Sequence, residues 1–327
     1  KPRDSQAARI MDGIRLIRRL YRSPEPRVLR DASVVATTVA LSHLSPLVHA
    51  SRFDRVIIDE ASVVRTPEAI LAALMFDVPV TFFGDPMQLP PVVRSRTPEA
   101  DRWLRPNPFQ MAGIRGPEHA RGACVMLDEQ HRMATPIRKL VSDLFYGGAL
   151  KDARETDGRI LLLDTSATPA RATTRWVRMS QSRENQVHRD IVASLLEVVK
   201  RDRPDATVLI LAPFRAQARA YAREANTNRF RRVRFETVHS SQGTEADTVI
   251  LDLVVAPSRG RSRFLDERYK PELRNLLNVG ISRAKRQLIL VVHGEEVEKQ
   301  YSGGLLPELL RRAESLGDRK STRLNSS

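Results

Sequence analysis

Two short segments carry side chains suited to metal and phosphate chemistry. The first is Val56-Ile57-Ile58-Asp59-Glu60-Ala61-Ser62, an apolar run that stops at two adjacent carboxylates. A carboxylate at the C-terminal edge of a parallel strand is placed to hold Mg²⁺, usually through water, and Asp59 occupies that position. An adjacent Glu can orient and deprotonate an attacking water, which makes Glu60 the candidate base. Taken alone, a strand followed by Asp-Glu also arises by chance. The second segment is Gly84-Asp85-Pro86-Met87-Gln88-Leu89-Pro90-Pro91. A neutral Gln88 amide can hydrogen-bond both a terminal phosphate and the attacking water. Pro90 and Pro91 fix φ and stiffen whatever the segment leads into. The competing reading is a Pro-rich turn without chemistry.

Such side chains need strands to present them. Short apolar runs alternate with helical-period segments, which argues for an α/β fold with largely parallel strands. The runs at 55–58, 78–83, 208–211, 248–255 and 288–292 are read as strands. Thr66 and Thr135 each precede a proline, the pattern of an N-cap followed by Pro at the first helical position. Val187, Ile191, Val192, Leu195, Leu196 and Val199 form one apolar helical stripe that should pack on a sheet. Residues 92–122 read as loop-rich and residues 151–184 as a polar stretch. A domain boundary is placed near residue 125, and residues 32–38 read as a further strand and turn.

Composition narrows the function classes. A length of 327 residues accommodates two domains, and 41% hydrophobic with 28% charged residues describes a globular chain. No apolar run approaches the ~18 residues of a membrane span. Cys124 is the one cysteine, so no internal disulfide forms; a cytoplasmic chain fits this, with Cys124 a small buried residue. No His/Cys grouping has zinc spacing. A net charge of +15 favours polyanions such as nucleic acid, although Arg-rich codon usage accounts for it equally well.

With the segments that follow, the chain resembles superfamily 1 helicases, in the branch of the nonsense-mediated-decay RNA helicase. The Asp59-Glu60-Ala61-Ser62 segment matches that family's Walker B motif, and Gly84 to Pro91 its Gln-containing sensor. Glu129-Gln130-His131-Arg132-Met133 is similar to its Gln-Tyr-Arg-Met motif, with His131 at the aromatic position. The resemblance implies that Arg132 reaches the γ-phosphate and that Gly84, Asp85 and Gln130 lie by the nucleotide. Ala212-Pro213-Phe214-Arg215-Ala216-Gln217 is similar to the family's Thr-Pro-Tyr-x-x-Gln strand end. Thr237-Val238-His239-Ser240 begins a motif whose first residues touch the nucleic-acid backbone, while Gly243 and Glu245 lie by the nucleotide, Glu245 near the ribose. Asn278 to Lys285 matches the last helicase motif, with Arg283 its arginine finger. Thr37 and Thr38, at the end of 32–38, match a segment whose hydroxyls bond strand phosphates; Pro90, Pro213, Phe214 and Arg215 complete the implied nucleic-acid contacts.

The implied whole is an α/β protein of two RecA-like domains with mainly parallel sheets flanked by helices. Residues 1–125 are the remainder of the first, residues 126–318 are the second, and 319–327 form a disordered, non-native tail. ATP with Mg²⁺ on Asp59 is the cofactor, and single-stranded DNA or RNA the partner of a monomer moving 5′ to 3′. Guanidinium groups suit this chemistry, because phosphoryl transfer develops charge on equatorial oxygens. The Gly-x-x-x-x-Gly-Lys-Ser/Thr loop is absent from all 327 residues. An N-terminal truncation is the expected reason, and this chain by itself is expected to bind ATP poorly and not hydrolyse it. The last motif also departs from the family: Leu276 stands where Arg is frequent, Gly280 replaces Ala, and Ser282 replaces Thr. The alternatives are a non-catalytic nucleic-acid-binding module and a protein whose biology is set by an appended domain such as a nuclease.

Overall fold

The computed structural model describes residue 11 and residues 26–168, 175–177, 182–224, 232–258 and 260–321. The chain divides into two compact units, residues 1–84 with 91–111, and residues 85–90 with 112–327. This break precedes the boundary expected near residue 125, and it assigns Asp85–Pro90 to the second unit.

In the first unit, α1 (Pro26–Asp31), α2 (Val39–Leu44) and α3 (Pro46–His49) precede β1 (Val56–Ile58), α4 (Thr66–Leu74), β2 (Val80–Phe82), α5 (Pro98–Trp103) and α6 (Pro108–Met111). The two strands pair in parallel, Val56 opposite Val80 and Ile58 opposite Phe82. Ala69 and Ala72 sit three apart on α4 and share a small core with Ile58, Ala61, Phe82 and Phe109. Residues 32–38 form no strand, and Thr38 instead caps α2, its Oγ1 accepting from Leu41 N at 3.1 Å. Thr66 lies one residue inside its helix, after Arg65 at the N-cap, and its hydroxyl donates to Pro106 O at 2.6 Å. Pro67 therefore stands at the second helical position, which tolerates it for the same reason as the first: the N–H is unpaired there anyway.

The second unit begins with β3 (Glu129–Gln130), α7 (Thr135–Phe145), β4 (Lys151–Asp152), β5 (Arg159–Asp164) and an antiparallel pair, β6 (Arg175–Val177) with β7 (Ser182–Glu184). It continues through α8 (Gln186–Asp202), β8 (Val208–Ala212), α9 (Arg215–Glu224), β9 (Val233–Thr237) and β10 (Ala246–Asp252). It ends with α10 (Leu273–Ser282), β11 (Ala284–Val292), α11 (Gly294–Tyr301), α12 (Leu305–Leu316) and β12 (Asp318–Ser321). Six strands form one parallel sheet in the order β12-β5-β11-β10-β8-β9.

Successive side chains of these strands serve opposite faces. Ile160, Leu162, Leu209, Leu211, Leu251, Leu288 and Leu290 pack with α7, α10, α11 and α12. Leu161, Leu163, Ile210, Ile250, Ile289 and Val291 pack with the predicted stripe of α8. Cover on both faces explains why these strands read as unbroken apolar runs rather than alternating ones.

The stretch 151–184 is not polar throughout, because it holds a buried strand. Arg159-Ile-Leu-Leu-Leu-Asp164 is a sheet strand between β11 and β12. The reading of 319–327 as a structureless tail is corrected for its first residues, since Asp318–Ser321 pairs in parallel with β5. Pairing at an open sheet edge needs backbone rather than an apolar pattern, and Arg319 Nη2 is held by Asp164 at 2.5 Å. Residues 322–327 lie outside the described residues. Thr135 likewise starts its helix from inside, after Ala134 at the N-cap. Cys124 is half-buried rather than buried. No helix among the described residues is long and apolar enough to cross a membrane.

Candidate functional site

In the first unit, Asp59 and Glu60 leave the C-terminal end of β1 exposed to solvent. Glu60 adopts φ 51°, a conformation that side chains rarely take, and its N–H donates to Asp59 Oδ1 at 2.9 Å. The next residue ties this turn to the neighbouring strand end, Ala61 N donating to Phe83 O at 2.8 Å. Ser62 is buried, and its carbonyl accepts from Asn107 Nδ2 at 3.1 Å.

Gly84 ends the β2 segment at φ +157°, where a Cβ would come to 2.9 Å from Phe109 Cε2 and 3.0 Å from the backbone nitrogens of Ala61 and Ser62. Two of those three neighbours are backbone and cannot swing away. Gly84→Ala should therefore destabilise the first unit by about 1–3 kcal/mol. Urea unfolding followed by the fluorescence of Trp103, with Trp176 replaced by Phe, measures this; an unchanged midpoint would refute the steric argument.

The second unit gathers the other phosphate- and nucleotide-site candidates about one centre. That centre is Arg283, 3% exposed at the C-terminal end of α10. The Arg283 guanidinium donates to Val279 O at 3.0 Å, to Thr244 O at 3.2 Å and to Gln88 Oε1 at 3.2 Å. The other end of the Gln88 amide donates to Asp85 Oδ2 at 3.1 Å. Beside Thr244, Glu245 accepts from Arg132 Nε at 2.8 Å and pairs with Lys285 Nζ at 2.5 Å. The Lys285 hydrogen bond, with the Lys285 and Arg132 charges, outweighs burial and holds the Glu245 carboxyl below the usual range. Gln130 shapes the Arg132 turn from inside, its Oε1 accepting from Arg132 N at 2.9 Å and Met133 N at 2.7 Å. His131 projects to solvent and pairs with Glu129 at 3.5 Å. Gly243 is exposed at φ +77° in the same turn.

Sequence reasoning assigned no role to the groups that clamp residues 85–88. Asn275 Nδ2 donates to Pro86 O at 3.1 Å and Gln88 O at 2.6 Å, and Asn278 Nδ2 donates to Met87 O at 2.9 Å. The Tyr146 hydroxyl donates to Asp85 and accepts from Asn278 Nδ2 at 2.8 Å. Burial, then the Asp85 charge, push this phenol well above its ordinary value, so it stays a donor at any physiological pH. The two asparagines are three apart on one helical turn, a spacing visible in the sequence. Nothing in the sequence marks Tyr146.

Pro213 to Arg215 and Thr237 to Ser240 occupy the other end of the same sheet. Pro213, Phe214 and Arg215 follow the C-terminal end of β8, and Thr237 to Ser240 follow that of β9, whereas Glu245 and Arg283 precede the N-terminal ends of β10 and β11. Val238 N donates to Ala212 O at 3.2 Å, which joins the two turns. Pro213, Phe214 and Val238 are buried, while Arg215, His239 and Ser240 are exposed. Thr237 and Ser240 satisfy each other, the hydroxyls 3.0 Å apart. Partial burial and the Lys270 ammonium hold the His239 imidazole below the usual histidine range. Thr37 and Thr38 are exposed in the first unit, and Pro90 is half-buried in the second. Among the described residues no three His, Cys, Asp or Glu side chains form a metal cage.

Two family models, each described as an AAA domain, match residues 3–96 and 114–295. The chain belongs to the superfamily 1 helicases. Within this family it groups with the branch its motifs resemble, and its six-stranded parallel sheet with helices on both faces is the RecA-like fold. It is 28% identical to the DNA replication ATP-dependent helicase/nuclease JHS1 of Arabidopsis thaliana, over 80% of this chain and 20% of that protein. It is 26% identical to the probable helicase MAGATAMA 3 of the same plant, over 81% and 33% respectively. With the DNA replication ATP-dependent helicase/nuclease DNA2 of Xenopus laevis it shares 28%, over 79% and 26%. This helicase chain thus spans a fifth to a third of these relatives.

Proposed function

We propose that the chain is motor machinery of an ATP-dependent helicase that moves 5′ to 3′ along single-stranded DNA or RNA. The observation that carries this reading is the second-unit network in which the Gln88 amide, the Arg132 and Arg283 guanidiniums and the Lys285 ammonium converge about Thr244 and Glu245. Guanidinium forks match phosphate oxygens two at a time, so this donor set fits a polyphosphate. The exposed Asp59 carboxylate fits a hydrated Mg²⁺, which prefers to keep most of its waters. ATP with Mg²⁺ supplies the phosphoryl group and part of the charge neutralisation.

The chain's own residues do the rest. Gln88 and Arg283 now satisfy each other. A phosphate that competes for both replaces a bond to a neutral acceptor by a stronger one to an oxyanion. Arg132 is likewise stored on Glu245, a partner it can exchange, because both side chains are about two-fifths exposed. Glu60 accepts the proton of the attacking water. Gly84, Asp85, Gln130 and Gly243 shape the nucleotide's surroundings. Residues 238–245 run from the 237–240 turn to Glu245, so a shift at Arg283 and Glu245 reaches the strand-gripping turns through continuous chain. Pro90, Pro213, Phe214, Arg215 and residues 237–240 form that grip in the second unit, with sequence-blind contacts to phosphate and sugar, and Thr37 and Thr38 of the first unit make contacts of the same kind.

In a form of the protein that hydrolyses ATP, Glu60→Gln is expected to retain ATP binding and lose about 10²–10⁴-fold in turnover. Unwinding of DNA and RNA duplexes with single-stranded tails of either polarity tests the direction and the sugar. Turnover unchanged in Glu60→Gln removes that residue from its role, and failure of the unmodified protein on every tailed duplex removes the helicase reading.

A further inference from the structure

Between β10 and α10 lies a segment that the motifs do not use. Its single turn Arg263–Leu265 is seated on the strand-gripping end of the sheet: the Phe264 ring centroid is 5.6 Å from that of Phe214 and 6.3 Å from that of His239. The seat is firm. Ser262 N donates to the Tyr301 hydroxyl at 3.0 Å, and buried Asp266 accepts from Arg268 N at 3.2 Å and Arg268 Nε at 2.9 Å while pairing with Arg261 at 3.3 Å.

What this seat presents to solvent is an aromatic ring among guanidiniums. Tyr269 is 52% exposed, with the guanidinium carbons of Arg261 and Arg263 at 5.1 and 5.2 Å from its ring centre. Arg261 Nη2 also donates to the Tyr269 hydroxyl at 2.9 Å, which fixes that ring. Arg263 is exposed, and its guanidinium makes no hydrogen bond or ion pair among the described residues, so its donors are available to an anion. Arg183 reaches the same segment from β7, donating to Gly260 O at 2.9 Å. A half-exposed ring held rigidly beside planar cations is poor as core packing and good as a stacking surface, because every base has a π-face.

We propose that Tyr269, with Arg261 and Arg263, is a stacking platform for one unpaired base of the bound strand, and that Arg263 takes an adjoining phosphate. This rests on the helicase reading and extends it to a contact outside the motifs. The platform requires an unpaired base, since a duplex hides base faces in its stack. It lies beside Phe214 and His239, so it prolongs the track past the turns that follow β8 and β9.

Fluorescence anisotropy with a labelled oligothymidylate and an abasic oligonucleotide of equal length tests this on the full chain. Tyr269→Ala should weaken oligothymidylate binding by about 5–150-fold, the range of a lost base–aromatic stack. Tyr269→Phe and Tyr269→Trp keep a ring and should bind within about threefold of the unmodified chain, whereas Tyr269→Leu should behave as Ala, because stacking needs the π-face. The abasic strand should bind the Tyr269→Ala and unmodified chains equally. Arg263→Ala should lower the slope of log affinity against log salt by about 0.7, one phosphate's worth on a single strand. Equal weakening on the abasic strand would mean that Tyr269 acts by folding its loop, and would overturn the platform; so would retention of binding by the Leu variant. If the unmodified chain binds neither strand, the helicase reading itself fails.

Discussion

Arg283→Ala is expected to lower nucleic-acid-stimulated ATP turnover by about 10³–10⁵-fold, the contribution of an arginine finger, in a form of the protein that hydrolyses ATP. The side chain is almost wholly buried in its own unit, where it bonds Val279 O, Thr244 O and Gln88 Oε1. Removal therefore leaves acceptors unpaired as well as a phosphate without its counter-charge, at about 1–3 kcal/mol for each fully buried orphan. Loss of turnover in the Ala variant alone would not separate catalysis from folding. Arg283→Lys separates them. Lysine keeps the charge but offers a point donor in place of a planar fork, so it cannot span Gln88 and Thr244 and engage an equatorial oxygen together. The Lys variant should melt within a few degrees of the unmodified protein, bind ATP, and still lose most turnover. A Lys variant that turns over normally would show that charge near Gln88 suffices and that Arg283 is no finger. Glu245 tempers the outcome for the other guanidinium: Arg132 is exposed and shared with it, so Arg132→Ala should cost little stability.

Sequence and structure part company in ways that follow from what each element is made of. The strand Val208–Ala212 and the 288–292 part of Ala284–Val292 were legible because a parallel sheet covered on both faces turns them into apolar runs. The stripe of α8 was legible because helical period survives in any amphipathic helix that packs on a sheet. Strand Arg159–Asp164 was equally apolar, but polar neighbours on both sides diluted it in a window wide enough to judge a domain boundary. Asp318–Ser321 could not be read, since an edge strand defined by backbone pairing carries no side-chain pattern. Residues 32–38 failed in the opposite direction, being β-branched enough for a strand yet unpaired among the described residues. Gln88, Arg132 and Arg283 were found through motif order, which fixes identity but not partners. That Gln88 is bonded to Arg283, or that Tyr146 and Asn278 close the cage, depends on residues 130 or more apart in the chain, a range that local patterns do not report.

A second large effect is expected at a residue that touches no ligand. Asp252 ends β10 with no exposure, and its carboxylate accepts from His188 Nδ1 at 2.7 Å, Gln217 Nε2 at 2.7 Å, Tyr221 OH at 2.8 Å and Val254 N at 2.8 Å. The His188 ring continues to Thr165 Oγ1 at 3.2 Å. The order Thr-His-Asp is that of a nucleophilic triad, but Thr165, His188 and Asp252 are each wholly buried, so this chain of bonds is a strut across β5, α8 and β10. Asp252 also sits beside Val254, whose φ of 55° is unfavourable for a β-branched residue and is held by that N–H bond. Asp252→Ala removes the acceptor that four buried donors share and releases the strained turn, which should cost about 3–5 kcal/mol, a fall in Tm of about 6–20 °C. Burial raises the energy of the charged carboxylate, yet His188, Tyr221 and Val254 outweigh it and hold the carboxyl below its ordinary value. A depressed folded-state value means that the stabilisation is complete above the unfolded value, about 3.9, and is lost as pH falls through the folded one. The gap in stability between the unmodified chain and Asp252→Ala should thus be full at pH 7 and narrower at pH 3. Thermal melts of both chains at the two pH values measure it. A gap that is small at pH 7 would mean the network is carried by packing alone, and one that widens in acid would mean the carboxyl is protonated in the fold and donates rather than accepts.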